Sequence, residues 1–241
     1  MFEGRQGLSC ARNRAVQEAA GEWIWFVDDD VYFSTGWWEG VGEGLGLFPD
    51  AAVIAGRVVP AFDGPRPAWL PSSALPYYGL TAFGDEPRLL EPMEYPVGAN
   101  VAFRKSVFDE IGPFRADLGR IGDGLLSSEE TEVVDRLWAR GRGIGYAPRA
   151  ELRHRVSAER TTMSWLRRRA YWGGISYVLT DGVSSGSSRA RLIGRAAQGA
   201  WRIARGVLTG GLERDDQLVY ARELGTVRQY LAEALRVRAV S

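Results

Sequence analysis

Three aspartates in a row, Asp28-Asp29-Asp30, close a run of five apolar residues, Trp23-Ile24-Trp25-Phe26-Val27. Adjacent carboxylates repel one another, and at the end of a buried strand that repulsion must be offset by a cation or by strong donors. One solution is a hard divalent ion that takes oxygen ligands and bridges to bound phosphate. The other is a solvated acidic turn, and the spacing alone weighs the two evenly. His154 is the only histidine, Lys105 the only lysine, and Asn13 and Asn100 the only asparagines. Against a background that disfavours these types, each survivor gains weight as a specific chemical choice. A neutral imidazole is a reasonable ligand for Mn²⁺, although a lone histidine is more often structural.

The elements that must position these groups can be read from periodicity and punctuation. Ser9 as N-cap and Gly21 as stop bracket a helix over 10–20, with Ala11, Ala15 and Ala19 on one face. The run 23–27, bounded by Gly and Asp, reads as a strand buried on both faces. A glycine-weakened helix follows over 37–47, then a strand over 51–59. Residues 60–96 are rich in Pro, Gly and aromatics and read as a long functional loop. A strand at 101–103 and a helix at 105–111 come next. Ser127 or Ser128 starts a helix that runs to about Arg140. Short extended segments are expected at 144–146 and 150–154. Helices follow from about Thr161, over 189–208 and over 216–237, the last two separated by Gly210-Gly211. Strands alternating with helices predict an α/β fold with a mainly parallel sheet, flanking helices and a C-terminal helical extension. The expected boundary divides a domain of residues 1–158 from an extension of residues 159–241.

The stretch Gly7-Leu8-Ser9-Cys10-Ala11-Arg12-Asn13, followed by Gly21-Glu22 and the strand ending in Asp28-Asp29-Asp30, resembles the central part of family-2 glycosyltransferases of the GT-A (Rossmann-like) fold. The resemblance continues in order through Gly98-Ala99-Asn100, Gly112-Pro113-Phe114, Ser128-Glu129-Glu130, Tyr146-Ala147-Pro148 and His154. A lone acidic triplet is a weak signal; the ordered set is specific. The resemblance also implies that the strands normally preceding this region, which bind base and ribose, are missing from the chain, so that the fold is N-terminally truncated. A catalytically inactive remnant acting as a binding or scaffold module is the rival reading.

Roles follow from the resemblance residue by residue. Asp30, Asp28 and His154 correspond to metal ligands for Mg²⁺ or Mn²⁺. Arg12, Asn13, Asp28, Asp29 and Asn100 correspond to the donor-binding set. Glu130 falls where the family shows an aspartate acting as general base, with Glu129 as the second choice. Against this stands a capping box from Ser127 to Glu130. Trp69, Tyr77 and Tyr78 are aromatic faces that could stack on a sugar or fill a core. The implied activity is inverting transfer of a single sugar from a nucleoside-diphosphate sugar, the donor, to a hydroxyl on a glycan, lipid or small molecule.

Composition narrows the partners. Lys plus Arg and Asp plus Glu each number 30, so no bulk charge favours nucleic acid. The single Cys10 excludes an intramolecular disulfide and a Cys-rich zinc site. No apolar run approaches the roughly 18 residues of a membrane span, and the opening residues lack a signal-peptide core. The expectation is a cytoplasmic chain, with peripheral contact at the inner membrane face through Arg-rich C-terminal helices such as those bearing Arg167–Arg169, Arg189, Arg191, Arg195, Arg202 and Arg205.

Overall fold

The computed structural model describes residues 2–81, 83–182, 189–208 and 214–239. Two compact units emerge. One comprises Met1–Ala68, Leu75–Ala116 and Glu129–Ala158; the other comprises Trp69–Ala74, Asp117–Ser128 and Glu159–Ser241.

The first unit is α/β. Its strands are β1 (Trp23–Val27), β2 (Val31–Phe33), β3 (Val53–Phe62), β4 (Arg88–Leu89), β5 (Asn100–Arg104) and β6 (Ile144–Val156). Its helices are α1 (Leu8–Glu18), α2 (Trp37–Leu47), α3 (Val107–Ile111) and α4 (Glu129–Trp138). Side chains alternate across the strands, as a period of two requires. Val53, Ala55, Val101 and Phe103 join a core with Val107, Phe108, Phe114, Val133 and Leu137. Ile54, Val58 and Ala102 point the other way, into a core with Trp37, Val41 and Leu152. The expected glycine-weakened helix is α2, and its glycines have a packing purpose. A Cβ on Gly40 would lie 2.2 Å from the backbone of Arg149 and Ala150, so only glycine lets α2 press onto β6.

The path of the sheet is β1-β5-β3-β6-β2, with β4 added against β6. The expectation of a mainly parallel sheet is corrected: β3–β6 is parallel, whereas β1–β5, β3–β5, β2–β6 and β4–β6 are antiparallel. Alternating strands and helices do not fix direction. The long segment between β3 and β5 lets the chain return from the opposite end and insert β5 antiparallel between β1 and β3. Ser9, expected to cap α1, lies buried inside it. Gly7, at φ 135°, takes the cap position, a backbone conformation open to glycine that lets the helix begin earlier.

The two segments expected at 144–146 and 150–154 are one strand interrupted by a bulge. Gly56 pairs with Ala147 and Val58 with Leu152, so β6 spends extra residues, Pro148 among them, where β3 advances by two. A bulge frees backbone groups, and the fully buried Asn100 collects them. Its Nδ2 donates to the carbonyls of Arg57 (2.8 Å) and Ala150 (2.7 Å), while its Oδ1 accepts from the Trp25 indole at 2.9 Å. The bulge also bends the sheet. β1 and β2 are opposite ends of the strand order, four strand spacings or roughly 19 Å apart if flat. The chain from Val27 to Val31 reaches at most roughly 14 Å. The sheet must therefore curl until its ends meet at Asp28-Asp29-Asp30.

The second unit is helical among the described residues: α5 (Met163–Tyr177), α6 (Arg189–Leu208) and α7 (Arg214–Ala239). Thr162 caps α5 by accepting from the Trp165 N–H. Arg168 donates to the Asp123 carbonyl and Arg169 to the Ser127 hydroxyl, tying segment 117–128 to α5. The expected Gly210-Gly211 break and the Arg189 side chain lie outside the described residues.

Asn100→Ala leaves two carbonyls and an indole N–H buried without partners. At about 1–3 kcal/mol for each, relieved in part by relaxation, we expect a loss of about 3–5 kcal/mol. Urea unfolding measures it, and Asn100→Asp, which sets a carboxylate against two carbonyl oxygens, is expected to cost more.

Candidate active site

The curl of the sheet builds the first cluster. Val31 pairs with His154 across β2–β6, and the Arg155 N–H donates to the Asp30 carbonyl at 2.8 Å. Asp30 is thereby clamped beside the histidine. His154 Nε2 lies 3.1 Å from Asp30 Oδ1 and 3.7 Å from Asp28 Oδ2. One ligand atom from each of the three side chains falls within 4.8 Å of the others. Neighbouring ligands around an octahedral ion at about 2.1 Å sit about 3 Å apart, and opposite ones about 4.2 Å. Two carboxylates and an imidazole at these separations fit a Mn²⁺- or Mg²⁺-sized ion, the imidazole favouring the former. His154 Nδ1 is buried and has no hydrogen-bond partner among the described residues. The ring is thus aimed by strand pairing and packing, not by a second acceptor. Asp29 is exposed on the turn and stands outside the trio.

A second cluster lies at the same end of β1 and β5. Val27 pairs with Asn100, so Asp28 leaves the ladder on the side from which Gly98 and Ala99 enter it. The Gly98 N–H donates to Glu130 Oε1 at 3.2 Å. The buried Arg12 donates to Glu129 Oε1 at 2.7 Å and to the Gly98 carbonyl at 3.1 Å, and lies 3.9 Å from Glu130 Oε2. A Cβ on Gly98 would stand 2.5 Å from Arg12 Nη2, so glycine makes room for the guanidinium. Phe26 and Phe114 flank the same guanidinium with their rings. One cation thus serves two carboxylates in a dry setting, and Oε2 of both glutamates lacks a hydrogen-bond partner. Burial first, then the charge of Glu130, pushes the Glu129 carboxyl up to about 7, with Arg12 pulling the other way.

The expected site residues divide accordingly. Asp28, Asp30 and His154 converge. Glu129 and Glu130 stand together at the start of α4, and the capping-box alternative fails: Glu130 accepts from Gly98, while Ser127 meets Ser176 and Arg169. Of the expected donor-binding set, Arg12 is spent on Glu129 and Gly98, and Asn100 on the bulge. Asn13 is spent on the Phe114 backbone, to which it both donates and accepts at 2.8 Å. Tyr78 belongs to the core against Phe62, its phenol pushed up to about 12 by burial. Sequence reasoning missed Gly98 and Trp25 as partners. For Trp25 the alternation along β1, which sets Trp23 and Trp25 on one face, was the available signal.

Residues 1–112 match the family model described as Glycosyl transferase family 2. The chain is 28% identical over 182 residues to the glucosyl-dolichyl phosphate glucuronosyltransferase of Haloferax volcanii, covering 73% of this chain and 56% of that protein. It is 25% identical over 205 residues to the succinoglycan biosynthesis protein ExoM of Rhizobium meliloti, covering 82% and 57%. The chain spans just over half the length of these two curated relatives.

The raised Glu129 carboxyl has a consequence for stability. An unfolded glutamate gives up its proton near 4.5, whereas the folded one holds it to about 7. This contribution is fully present below 4.5 and is lost as pH rises through 7; it amounts to about 3 kcal/mol at most. Glu129→Gln has no proton to lose. Chemical unfolding from pH 4 to 8 is therefore expected to show the variant gaining on the wild type across that window.

Proposed function

We propose that this chain carries the metal-binding and acceptor-activating part of a nucleotide-sugar glycosyltransferase. It would transfer a single sugar, with inversion, from a nucleoside-diphosphate sugar to a hydroxyl group on a glycan, lipid or small molecule. The observation that carries this reading is the meeting of Asp28, Asp30 and His154 at the end of β1. The family match over residues 1–112 supports it.

Oxygens of Asp28 and Asp30 with His154 Nε2 would hold a divalent ion. When bound, such an ion supplies Lewis-acid stabilisation of a leaving diphosphate. Asp29, on the outer side of the turn, remains for contact with the donor. The Gly98 N–H orients the Glu130 carboxylate through Oε1, and that carboxylate is the candidate to take the proton of the attacking hydroxyl. Arg12 and Glu129 hold that carboxylate in place and exclude water. The first unit, which lies within residues 1–158 but leaves out 69–74 and 117–128, is the catalytic domain on this reading, and a cytoplasmic location accords with nucleotide-sugar chemistry.

Calorimetric titration of the chain with Mn²⁺ tests the trio. Asp30→Asn and His154→Ala are each expected to weaken binding at least about tenfold, while Asp29→Asn leaves it nearly unchanged. Wild-type affinity in Asp30→Asn refutes the site. Glu130→Gln is expected to lower sugar transfer, measured against a panel of nucleotide sugars, by about 10²–10⁴-fold, with Mn²⁺ affinity retained.

A further inference from the structure

Helix α6 has an unusual division of its surface. One row, including Leu192 and Ala196, is buried against Tyr230 and Ala234 of α7. The next row carries Arg191, Arg195, Arg202 and Arg205, of which Arg195 donates to the Tyr230 hydroxyl and Arg202 pairs with Glu223, both on α7. The remaining sector, roughly 140° at 100° per residue, holds Ile193, Ala197, Ala200, Trp201, Ala204 and Leu208, all exposed. Trp201 is 61% exposed and Leu208 86%. A solvated helix presents polar residues outward; this one presents an apolar face. No aspartate or glutamate occurs anywhere in α6, although the whole chain is balanced in charge. Trp201 stands at the border of the two sectors, with the Arg205 guanidinium 5.5 Å from its ring centroid. A hollow of about 610 Å³ opens over Ala197, Gln198, Trp201, Arg202 and Arg205.

We propose that α6 docks on an anionic lipid bilayer, lying in the plane of the interface. The apolar sector enters the boundary between headgroups and acyl chains, Trp201 sits at headgroup level, and Arg191 and Arg205 meet lipid phosphates. This occupant fits better than a second copy of the chain in an antiparallel twofold contact through the same face, which brings the like-charged arginine rows together. No helix among the described residues is long and apolar enough to cross a membrane, so α6 lies on the bilayer and does not span it.

The test is co-sedimentation of the full chain with vesicles of phosphatidylcholine, alone or mixed with phosphatidylglycerol. Binding is expected only to the mixed vesicles and weakens as salt rises from about 0.1 M to about 0.5 M. Each arginine near such a surface is worth about fivefold in partition, so R191Q/R205Q is expected to lose about 25-fold. Trp201→Ala is expected to lose at least about fivefold. R66Q/R140Q removes the same charge from exposed positions in the first unit and is expected to change partition by no more than about twofold. All these side chains are exposed, so the variants should keep the wild-type circular dichroism. Equal binding to both vesicle types, no binding to either, or equal losses in R66Q/R140Q and R191Q/R205Q overturns the proposal. So does retention of binding by Trp201→Ala, or concentration-dependent self-association that this substitution abolishes.

Discussion

The first unit depends on a short tether. Asp28-Asp29-Asp30 joins strands that stand at opposite ends of the sheet order, and no flat sheet lets so few residues make that connection. The sheet has to curl, and the bulge in β6 supplies the bend. Asn100 makes the bulge tolerable by taking up the carbonyls that the bulge releases. Asn100, the bulge, the curl and the tether therefore form one chain of dependence, and the approach of two carboxylates to His154 is its outcome. The acidic turn is both the fastening of the sheet and the candidate metal site.

The carboxylate pair at α4 obeys a different constraint. Glu129 and Glu130 are adjacent in sequence and share a single buried guanidinium. Burial first, and then the charge of Glu130 beside a single shared guanidinium, favours retention of a proton and raises the Glu129 carboxyl. Burying such a group is costly. That cost is offset by a cavity shaped for it: Gly98 leaves room for Arg12, and Phe26 and Phe114 flank the guanidinium. The same glycine fixes Glu130 through its N–H, so one backbone position orders both members of the pair.

Much of the architecture was legible in the chain itself. β1 and α2 fall where apolar runs and glycine punctuation put them, and α6 spans the expected residues. The direction of the strands was not legible, because pairing depends on how the long segment before β5 returns. Nor was the unity of β6: Pro148 reads as a break, and only the register against β3 reveals a bulge inside one strand. Arg12, Asn13 and Asn100 stand out in the sequence as scarce or motif-bearing polar residues. Their side chains are nevertheless committed to Glu129, Phe114 and the bulge, a distinction that residue type cannot make.

The sequence by itself determined that an acidic triplet would end a buried strand, that a glutamate pair would open a helix, and that one histidine would follow an extended segment. These are consequences of local periodicity and local punctuation. The family resemblance named Asp28 and Asp30, and not Asp29, as partners of His154, but periodicity and spacing could not, and it is the tertiary structure that brings them together. That selection comes from the pairing of Val31 with His154 and from the curl that returns β2 toward β1, both contacts between residues far apart in the chain. Neighbouring residues in a turn point in different directions, and only the register of a distant strand determines which of them share a site.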